Sequence, residues 1–321
     1  MATMFEGGVL ILGLDGGGTK TESRLAVLDG GVRVIGRGRG GPSNLRALGP
    51  ERALGNLDEA VSAAFADAGL ERCVVQSACL GLAGADRTSE QMQILEWAGA
   101  VRLSEQLRIV NDAVPLLSAG GGNGTGLALI AGTGSLAWGR NGDGRTARAG
   151  GWGYLLGDEG SAYALGSAGL RAVLMAADGR GEATLLTTLI FEQLEISAVS
   201  GVIERVYGGV VPRQVVASLA PVVFVAAERG DVVAVEVIRA AAGELAGMAA
   251  AVAGSLQLRE PFRVVLTGAV LLNQPEYRQQ VLGAIESRTG MVPEGVCVSE
   301  PVLGALELAR QLASGVTGEL S

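Results

Sequence analysis

The chain has 321 residues, of which 48% are hydrophobic but only 4% aromatic, so a large core must be built from small aliphatic side chains. Its formal net charge of −8 argues against a protein that binds the phosphate backbone of nucleic acids. The chain contains no histidine, which excludes histidine metal sites and a Ser-His-Asp triad. Any general base must therefore be a carboxylate or another group.

Cysteine content and hydropathy bear on the compartment. Three cysteines form no even disulfide framework, which favours a reducing environment. The N-terminal residues lack the charged and apolar regions of a signal peptide. The longest apolar candidate, residues 214–227, contains Pro221 and is too short to span a bilayer. We therefore expect a cytoplasmic protein that binds neither membrane nor nucleic acid.

The first strong motif joins an apolar run, residues 10–14, to a glycine-rich turn. It predicts a strand that ends at Asp15, a tight turn, and a second strand. Lys20, in this turn, is the only lysine among the 25 lysines and arginines, which indicates that a compact ammonium group is needed there. Glycine N–H groups can approach a phosphate closely, and a nearby carboxylate is useful only with a cation such as Mg²⁺ between them. The motif favours nucleotide binding, and an ordinary hairpin with a solvated lysine is the alternative.

The first part of the chain predicts a mixed sheet with helices on its faces. The apolar periodicity places strands at residues 9–15, 21–29, 32–37, 74–82 and 107–110, and helices at 50–68 and 89–97. The last of these strands ends in Asn111 and Asp112.

The opening pattern then repeats. After a glycine-rich spacer, residues 126–131 predict a strand, residues 132–135 a second glycine and hydroxyl turn, and residues 136–139 a strand that leaves it. Such an internal duplication predicts two turns that face each other across a cleft. Beyond the repeat we expect helices at 158–177, 183–194, 214–228, 232–256, 275–287 and 302–312, and strands at 262–266 and 296–299.

Five motifs in order resemble those of the N-acetylglucosamine kinases within the BadF/BadG/BcrA/BcrD ATPase family, which share the fold of actin and hexokinase. They lie at residues 15–21, 111–113, 131–135, 150–163 and 266–269, so the resemblance covers essentially the whole chain. It implies an α/β protein with a duplicated RNase H-like (actin-like ATPase) fold and a central nucleotide and sugar cleft. We expect an N-terminal domain at 1–116 and a C-terminal domain at 117–321, with a helical insertion in the second and a last helix free to pack on the first.

The resemblance also implies the nucleotide site. The two turns would bind the triphosphate of ATP, and a late strand-turn would line the adenosine pocket, with Mg²⁺ near Asp15, through water. The residues so assigned are Gly16, Gly17, Gly18, Thr19, Lys20, Gly132, Thr133, Gly134, Ser135, Gly268 and Ala269.

On the sugar side, the resemblance implies that Asp112 binds the acceptor and takes the proton of its hydroxyl. Asn44, Asp158 and the pair Gly151 and Trp152 would complete the sugar site. Each polar residue has a simpler alternative: a strand-end turn for Asp112, an Asx turn for Asn44, and a favourable helix-dipole position for Asp158 at the start of a helix.

The implied activity is the ATP-dependent phosphorylation of N-acetylglucosamine to its 6-phosphate by a homodimeric sugar kinase. Glucosamine and N-acetylmuramate remain alternative acceptors, since Ala83 stands where many relatives have a serine near the sugar. Other members of the family activate 2-hydroxyacyl-CoA dehydratases through a cysteine-bound iron–sulfur cluster. Cys73, Cys79 and Cys297 are better interpreted as small buried residues. A sugar sensor without turnover is a further alternative.

Overall fold

The computed structural model describes residues 4–5, 7–18, 20–85, 87–121, 124–208, 212–260 and 262–315. The chain begins with β1 (Met4–Phe5), β2 (Gly8–Gly16), β3 (Thr21–Leu28), β4 (Val32–Gly40), α1 (Leu45–Leu48), α2 (Pro50–Asp67), β5 (Val75–Leu82), α3 (Thr88–Ala100), β6 (Ser104–Val110) and α4 (Ala113–Ala119). It continues with β7 (Gly126–Ala131), β8 (Ser135–Arg140), β9 (Thr146–Gly150), α5 (Ala162–Ala177), α6 (Leu186–Leu194), α7 (Ser200–Tyr207), α8 (Pro212–Ala217), α9 (Ala220–Glu228) and α10 (Val232–Leu256). The remaining elements are β10 (Phe262–Thr267), α11 (Ala269–Asn273), α12 (Pro275–Thr289), β11 (Pro293–Cys297) and α13 (Val302–Ala313).

The chain divides into two compact units. The first comprises Met1–Thr125 and Glu300–Ser321, and the second comprises Gly126–Ser299. The boundary expected between residues 116 and 117 falls inside α4. This helix lies in the first unit because its backbone at Pro115 packs directly against Gly304 of α13, where a Cβ would overlap the Pro115 carbonyl.

The two units contain sheets of the same topology. In the first sheet the order is β4-β3-β2-β5-β6, with β1 beside β2, and in the second it is β9-β8-β7-β10-β11. In each sheet the first three strands of the repeat are antiparallel neighbours, and the last two run parallel to the first. The predicted α/β fold with a duplicated opening hairpin is therefore confirmed.

The core of the first unit lies between its sheet and the helices α2 and α3. Pro50 begins α2, where a missing N–H costs nothing, and apolar residues at helical spacing then face the sheet. Buried members of this core include Leu12, Leu25, Leu57, Phe65, Leu80 and Ile94.

The last helix, α13, completes the other side of the first sheet. Gly13 of β2 makes this possible, because a Cβ there would lie 2.8 Å from Leu306 Cα. The Ser77 hydroxyl of β5 donates a hydrogen bond of 2.6 Å to the Ala309 carbonyl. Backbone contact and a buried hydrogen bond therefore attach the C-terminal helix to the first unit.

The second unit is mostly helical and packs through alanine, valine and leucine. Its central helix α10 has 25 residues and begins at Asp231, whose carboxylate accepts a hydrogen bond of 2.8 Å from Ala234 N–H. Ten of its residues are buried, and most of them are alanines, so neighbouring helices approach closely. No helix in the described ranges is long and apolar enough to cross a membrane.

Three predicted elements differ from the structure. The helix expected at 214–228 is two helices, α8 and α9, because Pro221 near the start of α9 cannot continue a helical hydrogen-bond ladder. The helix expected at 158–177 begins only at Ala162. The strand expected at 296–299 is β11, which ends at Cys297, since its register is set by parallel pairing with β10 rather than by its own apolar residues.

Candidate functional site

The first glycine-rich turn leaves the carboxyl end of β2 and is held by two neighbouring segments. Ser43 N–H, from the loop after β4, donates to the Gly17 carbonyl at 3.0 Å, and Ala83 N–H, after β5, donates to the Gly16 carbonyl at 2.8 Å. A Cβ built on Gly17 or Gly18 would meet no atom of the described chain within 4 Å. The backbone of the turn is thus fixed on one side and open to a ligand on the other.

Lys20, which ends the turn, is paired with a residue that no sequence motif indicated. Its ammonium group lies 2.7 Å from the Glu22 carboxylate, which is buried and also accepts a hydrogen bond of 3.1 Å from Arg39. Burial opposes the ionisation of Glu22, but these hydrogen bonds and the charges of Lys20 and Arg24 hold its pKa below the ordinary value. The feature of the sequence that could have identified Glu22 is an acidic residue within a strand that is buried along most of its length. Thr19, also assigned to this turn, lies outside the described residues.

Two carboxylates lie at the same edge of the first sheet. Asp15 is the penultimate residue of β2, and Asp112 follows β6. Both strands run parallel to β5, which separates them, so their carboxyl ends share an edge. Burial, followed by the charges of Asp112 and Glu22, raises the pKa of Asp15 from 3.8 to about 7, while Lys20 acts in the opposite direction. Burial and the two neighbouring carboxylates therefore disfavour the charged form of Asp15.

Asp112 is not needed to cap the helix that follows it. The Asn111 side-chain oxygen accepts a hydrogen bond of 2.9 Å from Ala113 N–H, whereas Asp112 makes no side-chain capping bond to α4. The strand-end turn that was the alternative explanation is thus made by Asn111. The Asp112 carboxylate is half-buried at this edge.

Asn44 lies near the same edge. It follows Ser43, the residue bonded to the first turn, and immediately precedes α1. A Cβ added to Gly84 would lie 3.5 Å from the Asn44 side-chain amide, so the loop after β5 and the Asn44 loop lie close together. The first unit therefore brings together the first turn, Asn44, the segment containing Ala83, and Asp112.

The donor chemistry of this edge suits a hard cation. The candidate ligands here are carboxylate oxygens. Burial and neighbouring acids disfavour the charged form of Asp15 and raise its pKa, and a bound cation would favour the charged form. Within the described ranges, no group of three or more acidic, cysteine or histidine side chains could hold a metal ion unaided. Mg²⁺ usually binds one or two carboxylates plus substrate phosphates, so the residues present fit a phosphate-bridged ion and not a closed protein site.

The second glycine turn joins β7 to β8 and is tied to the start of α5. Gly132 N–H donates to the Gly134 carbonyl at 2.9 Å, and Ala162 N–H, at the first position of α5, donates to the Gly132 carbonyl at 2.8 Å. The Ser135 hydroxyl donates to the Glu159 carbonyl at 2.6 Å. Thr133, between the two glycines, is exposed. The turn thus rests on the segment that precedes α5.

Asp158 does not begin a helix, contrary to the sequence prediction. Its φ is +61° and that of Gly160 is +74°, so the chain turns in the left-handed region before Ser161 caps α5. The Asp158 carboxylate, 4% exposed, accepts a hydrogen bond of 3.2 Å from Ser135 N–H and lies 3.2 Å from Arg213 Nη2. Asp158 is therefore attached to the second turn, and no helix dipole explains its position.

Arg213 is the second residue that no sequence motif indicated. It lies on α8, 55 residues after Asp158, and its guanidinium stands 5.5 Å from the ring centroid of Tyr154. Nothing in the local sequence marks an arginine on a helix as a partner of a distant turn. This residue could be found only from the tertiary structure.

Gly268 and Ala269 lie against the second turn, as their assignment to the nucleotide requires. Gly268 has a φ of +92°, and a Cβ there would lie 2.8 Å from Gly132 N. Ala269 N is 3.8 Å from a Cβ built on Gly132. The parallel pairing of β10 with β7 brings these two strand ends together.

Gly151 and Trp152 belong to an exposed loop that returns to Asp158. Gly151 has a φ of +70°, and the Trp152 side chain is 71% exposed with the Arg148 guanidinium 5.2 Å from its ring centroid. A Cβ on Gly157 would lie 3.3 Å from Trp152 Cβ, so the loop folds back beside the residue that precedes Asp158. The second unit thus gathers the second turn, the Trp152 loop and Asp158.

The cysteines do not form one site. Cys79 is buried and Cys73 is partly buried, but Cys297 is exposed, so the prediction that all three are small buried residues is wrong for Cys297. Its position at the end of β11, an edge strand of the second sheet, exposes the side chain.

Comparisons with known proteins agree with the motifs. The chain is 35% identical over 269 residues to an N-acetylmuramic acid/N-acetylglucosamine kinase of Clostridium acetobutylicum, covering 83% of this chain and 87% of that protein. It is 33% identical over 271 residues to an N-acetyl-D-glucosamine kinase of Dictyostelium discoideum, covering 81% and 84% of the two chains. The crystal structure of a candidate N-acetylglucosamine kinase from Chromobacterium violaceum superposes with a TM-score of 0.69 at 28% identity, covering 94% of this chain and 99% of that one.

The family model for the BadF/BadG/BcrA/BcrD ATPases matches residues 12–309. This range contains both glycine turns and every residue assigned to the nucleotide site or the sugar site. With the duplicated sheet topology and the two curated relatives, this match confirms the resemblance that the five motifs indicated. The chain belongs to the BadF/BadG/BcrA/BcrD ATPase family.

Proposed function

We propose that the protein is a sugar kinase that transfers the γ-phosphoryl group of ATP to an amino sugar, with N-acetylglucosamine the preferred acceptor and its 6-phosphate the product. Both curated relatives are N-acetylglucosamine kinases by name. The observation that carries the proposal is the position of Asp112, which shares one sheet edge with the open first turn and Asp15.

In the proposed reaction, the sugar hydroxyl attacks the γ-phosphorus in line with the leaving oxygen of ADP. A bond forms between the sugar oxygen and phosphorus, and the bond from phosphorus to the β–γ bridging oxygen breaks. The Asp112 carboxylate orients the hydroxyl and accepts its proton as the new bond forms. Because the chain has no histidine, a carboxylate is the residue type best suited to this role.

The glycine turns hold the nucleotide in this proposal. The open backbone at Gly17 and Gly18 approaches the phosphates, and the turn at Gly132–Ser135 supplies a second set of backbone donors. Asp15 would hold Mg²⁺ through water, and the ion would supply positive charge that neutralises the phosphates. The Lys20 ammonium group, which lies 2.7 Å from the Glu22 carboxylate, would bind a phosphate oxygen.

Sugar selection rests on Asn44, Asp112, Asp158 and the loop containing Gly151 and Trp152. The family resemblance implies that Ala83 stands where many relatives have a serine near the sugar. The loss of one neutral hydrogen bond costs about 0.5–1.5 kcal/mol, which is at most about tenfold in affinity. The protein should therefore still recognise N-acetylglucosamine, but the difference in kcat/KM between N-acetylglucosamine and glucosamine should be smaller.

An ADP-release assay with a panel of acceptors tests the proposal. We expect kcat/KM to be highest for N-acetylglucosamine, lower for glucosamine, and far lower for glucose, and phosphorus NMR of the product should place the phosphate on O6. Glucosamine or glucose as the best acceptor would overturn the choice of acceptor and leave the kinase proposal intact. Absence of turnover with every sugar would favour a sugar sensor.

N-acetylmuramate is the second candidate acceptor, and one observation favours including it. The Clostridium acetobutylicum relative is a kinase of both N-acetylmuramic acid and N-acetylglucosamine by name. The same panel separates a dual-specificity enzyme from one that excludes the muramate lactyl group.

An iron content near zero in anaerobically purified protein would exclude the dehydratase-activator alternative.

The assembly and compartment remain predictions from the sequence. We propose a homodimer, which light scattering coupled to size exclusion would test directly. A monomer at micromolar concentration would contradict it. The cytoplasmic location likewise stays a prediction.

A further inference from the structure

Arg213 occupies a position at the second turn that the kinase proposal does not use. Its Nη2 atom lies 3.2 Å from Asp158 Oδ2, so Arg213 forms an ion pair with a carboxylate that is almost fully buried. A Cβ built on Gly134 would lie 2.9 Å from the same Nη2 and 2.7 Å from Asp158 Oδ2. The guanidinium therefore lies close to Gly134 of the turn.

Two further observations describe how this arginine is held. Its guanidinium stands over the Tyr154 ring, which fixes its plane without using a hydrogen-bond donor. Its Nε atom is buried and has no hydrogen-bond partner among the described atoms. A buried donor without a partner is costly, so the guanidinium is held in place by its other contacts, with Asp158 and Tyr154.

The chemistry of the turn indicates why a cation is needed there. Asp158 accepts the Ser135 N–H, a donor that the turn would otherwise offer to a phosphate. A buried carboxylate this close to bound phosphates would repel them, since charge interactions weaken little across a poorly solvated site. A phosphate can occupy the turn only if a cation balances Asp158.

We propose that Arg213 is a nucleotide-binding residue: it balances the charge of Asp158 and donates hydrogen bonds to a phosphate oxygen of ATP at the turn Gly132–Ser135. This inference deepens the proposed function and rests on its assignment of that turn to the triphosphate. The fork of a guanidinium presents several donors, so one arginine can contact a carboxylate and a phosphate at once.

The test compares the affinities of ATP and adenosine, measured by isothermal titration calorimetry with no sugar present. For Arg213→Gln we expect the Kd of ATP to rise about 10- to 150-fold, the range for a hydrogen bond to a charged group, while adenosine binding stays the same. Arg213→Lys should recover part of the loss, because it restores the charge without the fork. The matched control is Arg239→Gln, which removes an exposed arginine paired with Glu236 in the same unit and should leave both affinities unchanged.

A double variant separates charge balance from a structural role. Asp158→Asn with Arg213→Gln should bind ATP more tightly than Arg213→Gln alone, because the unbalanced carboxylate is gone. A structural defect would instead weaken ATP and adenosine together, and the double variant would be no better. Equal losses for the two ligands, unchanged ATP affinity in a folded Arg213→Gln, or a lysine variant as weak as the glutamine one would each overturn the proposal.

These outcomes are distinct from the failure of the kinase proposal. The calorimetry involves no acceptor sugar and no turnover, so it judges Arg213 even if no amino sugar is phosphorylated. Conversely, the wild-type enzyme could phosphorylate N-acetylglucosamine while Arg213→Gln leaves the affinity for ATP unchanged. That result would contradict only the role of Arg213.

Discussion

The replacement Gly17→Val tests the first turn with little disturbance of the fold. Gly17 does not have a positive φ, and a Cβ there would meet no atom of the described chain within 4 Å. The added side chain therefore occupies the space on the open side of the turn, where the proposal places phosphate. Because surface substitutions of this kind usually change stability by less than about 0.5 kcal/mol, the variant should fold normally.

The magnitude follows from the contact that is lost. If valine holds the phosphate away from one backbone N–H, the loss is one hydrogen bond to a charged group, about 1.5–3 kcal/mol. Each factor of ten in affinity corresponds to about 1.4 kcal/mol, so the Kd of ATP should rise about 10- to 150-fold. Sugar affinity should change little, since Asn44 and Asp112 are untouched.

Calorimetric titration with ATP measures this effect, with thermal unfolding as the check on folding. The control is Gly31→Val, in the turn between β3 and β4 of the same sheet, where a Cβ also meets nothing within 4 Å. Unchanged ATP affinity in a folded Gly17→Val would refute the reasoning and remove the first turn from the nucleotide site. A loss of equal size in Gly31→Val would show that the effect is not specific.

Gly134 in the second turn is a poor substitute for this test. From the sequence, the two glycines should act alike, and Gly134→Val should also weaken ATP. In the structure a Cβ at Gly134 would lie 2.7 Å from Asp158 Oδ2 and 2.9 Å from Arg213 Nη2. The variant would disturb that ion pair as well as the phosphate approach, so its effect could not be assigned to one cause.

Three more outcomes follow from named contacts. Asp112→Asn should lower kcat by roughly 10²–10⁴-fold while ATP binding is kept, as steady-state kinetics and calorimetry would show. Gly13→Ala should lower the free energy of unfolding by about 1–3 kcal/mol, because the new Cβ lies 2.8 Å from Leu306 Cα and forces α13 away from β2. In native protein at about pH 8 a thiol reagent should modify exposed Cys297 before Cys79, because burial raises the pKa of Cys79 to about 12 and keeps its thiol protonated.

Each of these has a defined contrary result. Near-wild-type turnover in Asp112→Asn would end its assignment as base. For Gly13→Ala the control is Gly55→Ala on the exposed face of α2, where alanine meets nothing within 4 Å and should stabilise by about 0.5–1 kcal/mol. Equal effects of the two alanines would contradict the packing argument. Cysteine labelling that shows Cys79 as reactive as Cys297 in the folded protein would contradict its burial.

The sequence by itself determined the repeated hairpins and the chemistry expected at their turns. Apolar runs that end in glycine turns are local signals, because strand burial and backbone freedom depend on residues adjacent in the chain. The strands at 9–15 and 126–131 were therefore predicted to within a residue or two of β2 and β7. The absence of histidine is a property of the sequence alone, and it narrows the candidate base to a carboxylate such as Asp112.

The tertiary structure alone decided the partners of the charged residues. Lys20 is paired with Glu22, and Asp158 with Arg213, through distances of 2.7 and 3.2 Å. The first pair depends on how the turn closes, and the second joins residues 55 positions apart. The start of α5 differs from the sequence prediction for the same reason. Asp158 accepts a hydrogen bond from Ser135 N–H, and α5 begins only after Ser161. Ion pairs and buried hydrogen bonds form between whatever residues packing brings together, and a local sequence pattern contains no information about that.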